Sequence, residues 1–241
     1  MLVWTSAQAT DVGAKRKINE DAVLSRPDIG LWAVADGMGG HAAGDVASQA
    51  VIDALVHLKP NSDASEFIDL VEDKLMLVNH KLRRHGQESL GGRTLGTTIV
   101  TLFFVGEIGV CIWAGDSRLY LFRDGELSRL SHDHSAVQEM LDAGMITPEQ
   151  AQYHPHRNVI TRAVGGGEQL YPELRVFHPK PGDWYLLCSD GFYNEMTDEL
   201  ITSLVVQDSP QRSVDVLMEK ALAHGAADNV TLIVVQVSEA L

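Results

Sequence analysis

The sequence predicts an α+β fold, a sandwich in which helices cover antiparallel strands, and three features carry that expectation. Short runs rich in Val, Ile, Leu, Trp and Tyr recur between Gly, Asp and Asn, the bounds that strands favour. After the third such run two helical patterns follow one another, so the chain does not repeat the strand–helix–strand unit of a doubly wound parallel sheet. Later runs then succeed each other across turn residues, as hairpins do. The 241 residues are 45% hydrophobic and 22% charged, which suits one domain, residues 1–241, with a substantial core.

Taken in order, strands are expected at residues 2–9, 22–25 and 31–35. Helices are expected at 42–58 and 66–85; in the second, Phe67, Leu70, Val71, Leu75, Val78 and Leu82 recur at helical spacing. Strands follow at 97–105, 109–114 and 119–123, the last entering a hairpin, YLFRDGELSRL, whose Asp124-Gly125 suits the positive-φ positions of a tight turn. Residues 134–162 are polar, His-rich and Pro-containing, and read as a lid or small helical insertion. Strands at 173–178 and 184–188 precede helices at 197–206 and 210–224. Thr197 or Asp198 can cap the first of these, and Ser209 with Pro210 starts the second. A strand at 230–237 ends the pattern.

The formal net charge is −14, from 33 acidic and 19 basic residues. Such a surface repels nucleic-acid backbones, and the basic run Lys15-Arg16-Lys17 is too short for a nucleic-acid track. No apolar run approaches the roughly eighteen residues of a membrane span. The start, MLVWTSAQATD, lacks the basic and apolar regions of a signal peptide, so a cytoplasmic location is expected. Cys111 and Cys188 sit in apolar, strand-like runs and are expected to be buried, reduced thiols.

Residues 32–47, WAVADGMGGHAAGDVA, raise the question of chemistry. Gly37-Met38-Gly39-Gly40-His41-Ala42 satisfies the G-x-G-x-x-G/A pattern that seats a dinucleotide pyrophosphate. Asp36, however, would meet that pyrophosphate with a like charge. The ribose-binding acid expected about twenty residues on, at the end of a second parallel strand, is missing. GGRTLGTT at 91–98 is no better as a phosphate loop, because Thr97 stands where a lysine is needed. A different pattern stands out: Asp36, Asp116 and Asp190 end strand-like runs beside glycine or another turn former. Asp228 lies just ahead of a strand, and Glu20 and Asp21 sit at a strand start. A metal site needs hard oxygen ligands on stiff elements, and oxygen-only ligation selects Mg²⁺ or Mn²⁺ over Zn²⁺.

DVGAKRKINEDA (11–22), VADGMGGHAAGDVAS (34–48), GTT (96–98), AGDSRLY (114–120), LSHDHS (130–135), HPHRNVITRAVG (154–165), LLCSDG (186–191) and DNVTLIVV (228–235) closely resemble, in order over almost the whole chain, the bacterial PP2C-type metal-dependent Ser/Thr protein phosphatases. The resemblance implies a four-layer α-β-β-α sandwich of two antiparallel sheets, with a flap at about 134–162 and a cleft at one end. It implies hydrolysis of phosphoserine and phosphothreonine on proteins, reversing a cytosolic Ser/Thr kinase, by a monomer that engages neither nucleic acid nor membrane. Asp36 would bridge two Mn²⁺ or Mg²⁺ ions, Asp190 and Asp228 would complete the first, and the Gly37 carbonyl would ligate the second. Glu20 and Asp21 would contact that second ion or its waters. Asp116 with Asp190 matches a third, weaker metal site. Two ions about 4 Å apart would lower the pKa of a shared water and supply the nucleophile. Arg16 suits the phosphate-gripping position, where a guanidinium holds two oxygens at once.

The eukaryotic relatives carry a histidine, considered the general acid, directly after the bridging Asp-Gly; here that position is Met38. His41, three residues on, either aids the leaving group or caps and packs the following helix. Two rival readings use the same residues: a metal-dependent phosphodiesterase or small-molecule phosphatase, and a pseudophosphatase that only binds phosphoproteins. The second would have lost metal carboxylates, and none is missing here.

Overall fold

A computed structural model describes residues 1–39, 44–89 and 91–240. Along the chain the elements are β1 (Leu2–Asp11), β2 (Asp21–Arg26), β3 (Leu31–Met38), α1 (Gly44–Leu55), α2 (Ala64–Ser89), β4 (Gly96–Thr97), β5 (Ile99–Val105), β6 (Ile108–Ala114), β7 (Arg118–Arg123) and β8 (Glu126–Arg129). There follow α3 (Ala136–Asp142), α4 (Pro148–Gln152), β9 (Glu173–Phe177), β10 (Trp184–Cys188), α5 (Asp190–Tyr193), α6 (Asp198–Leu204), α7 (Pro210–His224) and β11 (Val230–Glu239). Among the described residues the strands make a five-stranded sheet, β1-β11-β10-β7-β8, and a six-stranded one, β2-β3-β5-β6-β9 with β4 beside β3. Every pairing is antiparallel.

Side-chain alternation builds the layers. On β3, Trp32 and Val34 face the other sheet; beside Val100 and Leu102 of the neighbouring β5 they pack in one core with Tyr185 and Ile233 from that sheet. Leu31, Ala33 and Ala35 face outward onto α1 and α2 through Val51, Leu55, Val71 and Leu75. A strand buried on both faces reads as a continuous apolar run, which is why LWAVA shows no period-two pattern. The outer face of the five-stranded sheet is covered by α5, α6 and α7 through Phe192, Ile201, Val214 and Leu217. Full burial of each such side chain is worth about 1.5–3 kcal/mol, and the four-layer order follows from three such cores.

Caps fix the later helices. Thr197 Oγ1 accepts the Leu200 amide at the start of α6, so the cap is Thr197 and not Asp198. Ser209 accepts the Arg212 amide ahead of Pro210 in α7. The polar insertion holds two short helices, α3 and α4, and its base is fastened by pairing between Ser135 and Ile160.

Several expectations are corrected. The strand expected at 97–105 is broken at Thr98, because Gly96–Thr97 turn aside to pair with Gly37–Met38. That pairing extends β3 beyond the expected 31–35, so Asp36 lies within a strand and not at its end. The helix expected at 42–58 ends at Leu55, and residues 42–43 lie outside the described residues. The helix expected at 66–85 runs longer, as Ala64–Ser89. Cys111 and Cys188 are buried and unpaired, and burial pushes both thiols up. No helix of the described residues is long and apolar enough to cross a membrane.

Candidate metal centre

Antiparallel neighbours start and finish at the same edge, so the start of β2, the far part of β3, the exit of β6, the end of β10 and the entry to β11 share one end of the sandwich. That topology gathers Asp21, Asp36, Asp116, Asp190 and Asp228. Asp21 and Asp36 stand directly opposite each other across β2 and β3. Cross-strand partners lie about 5 Å apart at Cβ. Two like charges at that distance repel by about 3 kcal/mol at an effective dielectric constant near 20. Asp190 lies close enough to Asp36 for the charge on each carboxylate to act on the other.

The electrostatics follow. Burial first, then Asp190 and Asp228, pushes Asp21 up to about 6. Burial, then Asp190 and Asp133, pushes Asp116 up to about 7. Asp36 is raised well above the carboxylate range by burial and by Asp21, Asp190, Asp116 and Asp228. Asp116 also keeps its Oδ1 buried without a hydrogen-bond partner. Among the described residues no three His, Cys, Asp or Glu close into a ready-made ligand cage. An all-oxygen set that is mutually repulsive and part-orphaned fits a hard divalent cation such as Mg²⁺. The donor set therefore fits the group the sequence implies.

Glycine makes two close approaches possible. A Cβ at Gly37 would stand 2.1 Å from the Gly44 carbonyl oxygen and 2.5 Å from that of Glu20. A Cβ at Gly191 would stand 2.0 Å from the Asn229 carbonyl oxygen. Any side chain there would drive the Asp36 and Asp190 elements away from their neighbours.

Arg16 Nη2 donates to Asp228 Oδ2 at 2.7 Å, which brings the expected phosphate-gripping residue to the carboxylates. Glu20, expected to contact the second ion or its waters, is held at the start of α1. Its Oε1 accepts the Gly44 amide at 3.2 Å, at the first residue of α1, and its backbone carbonyl accepts from Ser48 and Gly37. The side chain thus answers an otherwise unpaired donor of the helix start. His41 lies outside the described residues.

The sequence reading assigned no role to the residues that hold these acids in place. Thr98 Oγ1 accepts the Asp36 amide at 3.0 Å, and Thr97 Oγ1 donates to the Asp36 carbonyl at 3.0 Å. Ser189 Oγ donates to Asp21 Oδ2 at 2.8 Å. Asn229 accepts the Glu20 amide and donates to the Val12 and Ile18 carbonyls, closing the loop that carries Arg16. Arg118 grips Asp133 and lies 3.5 Å over the Tyr193 ring, on the helix that begins with Asp190. The available signal was polar residues, GTT and CSD, interrupting runs that should be apolar. The insertion is joined to the Asp116 strand exit: the Gly115 amide donates to His134 Nδ1 at 3.2 Å, and the His134 amide to the Gly115 carbonyl at 3.0 Å.

Comparison with known proteins agrees with this architecture. Residues 14–225 match the family model described as protein phosphatase 2C. The chain is 39% identical over 236 residues to the serine/threonine protein phosphatase PstP of Mycobacterium tuberculosis, covering 98% of this chain and 45% of that protein. It thus spans about half the length of that relative. It is 34% identical to the protein phosphatase PhpP of Streptococcus pneumoniae, covering 95% of this chain and 96% of PhpP. The solved catalytic domain of PstP in complex with 2 manganese ions superposes with a TM-score of 0.89 at 37% identity, covering 99% of this chain and 100% of that one.

Proposed function

The chain belongs to the protein phosphatase 2C family, and on that premise we propose that it hydrolyses phosphoserine and phosphothreonine on proteins with the help of Mn²⁺ or Mg²⁺. The observation that carries this reading is the meeting of Asp21, Asp36 and Asp190, half-buried carboxylates whose mutual repulsion a divalent cation relieves. Asp36, Asp190, Asp228, Asp21 and the Gly37 carbonyl would hold two ions, and Asp116 with Asp190 a third. Bound there, the cations supply Lewis acidity and lower the pKa of water toward neutrality.

The chain's own residues do the rest. Arg16, half-exposed beside Asp228, turns its planar fork toward the phosphoryl group and pairs two of its oxygens. It also offsets the repulsion between a −14 protein and an anionic substrate. Thr97, Thr98 and Ser189 hold Asp36 and Asp21 at fixed positions, so these acids need not reorganise as charge develops on phosphorus. In this reading the chain works as a monomeric single domain in the cytoplasm, reversing the action of a Ser/Thr kinase.

Paired model substrates test the reaction class. Mono-p-nitrophenyl phosphate and phosphoserine peptides are expected to be turned over, and bis-p-nitrophenyl phosphate only weakly. Preference for the diester would reassign the chain to phosphodiester chemistry, and no turnover with Mn²⁺ present would make it a binding protein.

A further inference from the structure

The second half of α2 is the exception to the molecule's charge pattern. Among the described residues six of the nine arginines elsewhere are tied to acids, Arg16 to Asp228, Arg26 to Asp28, Arg118 and Arg129 to Asp133, Arg123 to Asp183 and Arg162 to Glu173, while Arg157, Arg175 and Arg212 stand singly along the chain. Between Lys74 and Arg93 the acid is Glu88 alone, against Lys74, Lys81, Arg83, Arg84 and Arg93. Lys81, Arg84 and Arg93 are exposed. Among the described residues none of Lys81, Arg83, Arg84 and Arg93 has a carboxylate oxygen within 4.0 Å. Leu77, 47% exposed, lies one turn before Lys81 on the same face.

Helix electrostatics does not account for this cluster. Cations stabilise a helix C-terminus only within its last turn, and the last turn of α2 holds none. Lys81 and Arg84 lie before that turn and Arg93 beyond the helix.

The patch borders the candidate site. Gly92 donates to the Gly86 carbonyl, folding the Arg93 loop back against α2. Three residues after Arg93, Gly96–Thr97 pair with Gly37–Met38, so Arg93 lies roughly 10 Å along the chain from the strand that carries Asp36. The chain returning from the insertion closes the other side, with Thr97 paired to Val164 and Gly165 against Leu82 and Leu95.

We propose that the Lys74–Arg93 face of α2 is a docking surface for an acidic stretch of the protein substrate, outside the phosphorylated residue itself. This rests on the phosphatase reading above and adds to it a rule for choosing substrates. From Lys74 to Arg84 the helix rises about 15 Å, the span of four or five extended residues. A short acidic stretch matches that length, whereas a longer polyanion such as a nucleic acid would run onto the surrounding acidic surface.

Two phosphothreonine peptides, identical except that one carries flanking glutamates where the other has glutamines, test it. At low ionic strength the acidic peptide is expected to show a KM about tenfold lower. The gap should close in the triple variant Lys81→Glu, Arg84→Glu, Arg93→Glu and shrink with added salt. The neutral set Lys81→Gln, Arg84→Gln, Arg93→Gln should fall between. Turnover of p-nitrophenyl phosphate should be unchanged in both variants, since these side chains are outside the reacting centre. A fluorescent glutamate peptide without phosphate reads binding independently of hydrolysis. Its binding to the unaltered protein but not to the Glu variant, with no peptide hydrolysed, would sink the phosphatase reading and keep the docking surface. Equal KM values for the two peptides, or a preference that survives in the Glu variant, overturn the docking surface. An oligonucleotide that displaces the fluorescent peptide more strongly than unlabelled peptide does would overturn the assignment to a protein segment.

Discussion

At the scale of single residues, the site combines groups that hold charge with groups that aim it. Arg16 is half-exposed and makes one strong contact, to Asp228. Its removal should therefore spare the fold and act on substrate: Arg16→Ala is expected to raise KM for a phosphopeptide about tenfold, the scale of one charged hydrogen bond. Arg16→Lys should recover only part of that, because an ammonium cannot make the paired contact. Steady-state kinetics of both variants reads this, and unchanged KM in both would return Arg16 to the solvated surface. Asp116 is the opposite case, a buried carboxylate with an oxygen lacking any partner. Asp116→Ala should keep the fold and lower turnover on protein substrates about tenfold or more. Calorimetric titration should show the weakest manganese phase gone, since affinity follows ligand charge count. An unaltered titration with unaltered turnover would leave Asp116 as a turn residue.

At the scale of elements, the interesting contacts join segments far apart in sequence. Thr98, where the expected strand breaks, accepts the amide of Asp36 and shares a 2.7 Å hydroxyl contact with Ser117. Thr98→Val keeps the shape and deletes both, so it should weaken metal binding or activity by about 10- to 100-fold, the usual cost of losing a partner that orients a ligand. Equilibrium dialysis with Mn²⁺ checks it, and wild-type affinity would count against a positioning role. Such contacts explain what was legible in the sequence. Asp36, Asp116 and Asp190 announce themselves locally, as acids between stiff apolar runs and turn residues. The roles of Thr97, Thr98, Ser189 and Asn229 depend on register between strands, which no single segment encodes. Helix α5, Asp190–Tyr193, is too short to show a helical period, and so passed unseen. Likewise the cations of α2 are spread along a helix whose apolar residues alone drew notice.

At the scale of the molecule, two sheets and two helical layers hold several acids at one end against their own repulsion. The metal-free protein should show that strain in its pH dependence. Asp21 at about 6 and Asp116 at about 7 both lie above their ordinary value of 3.8. Between pH 4 and 7 the folded state therefore holds protons that the unfolded chain releases. The stability these groups contribute is complete below about pH 4 and is lost as pH rises through the folded values. Thermal melts of chelator-treated protein should fall over that window, less steeply in Asp116→Asn. Mn²⁺ at one hundred times its Kd should add about 2.7 kcal/mol, or about 5–10 °C in Tm. A chelated protein as stable at pH 7 as at pH 5 would contradict that view of the acids. The most direct measurement is phosphate release from a phosphothreonine peptide as Mn²⁺ is titrated into chelator-stripped protein, alongside Asp36→Asn. Release should be absent without metal, rise with Mn²⁺, vanish again on adding EDTA, and fall further in Asp36→Asn than in any other single variant considered above. Full release by the stripped protein, or wild-type release by Asp36→Asn, would contradict a metal-dependent phosphatase built on these carboxylates.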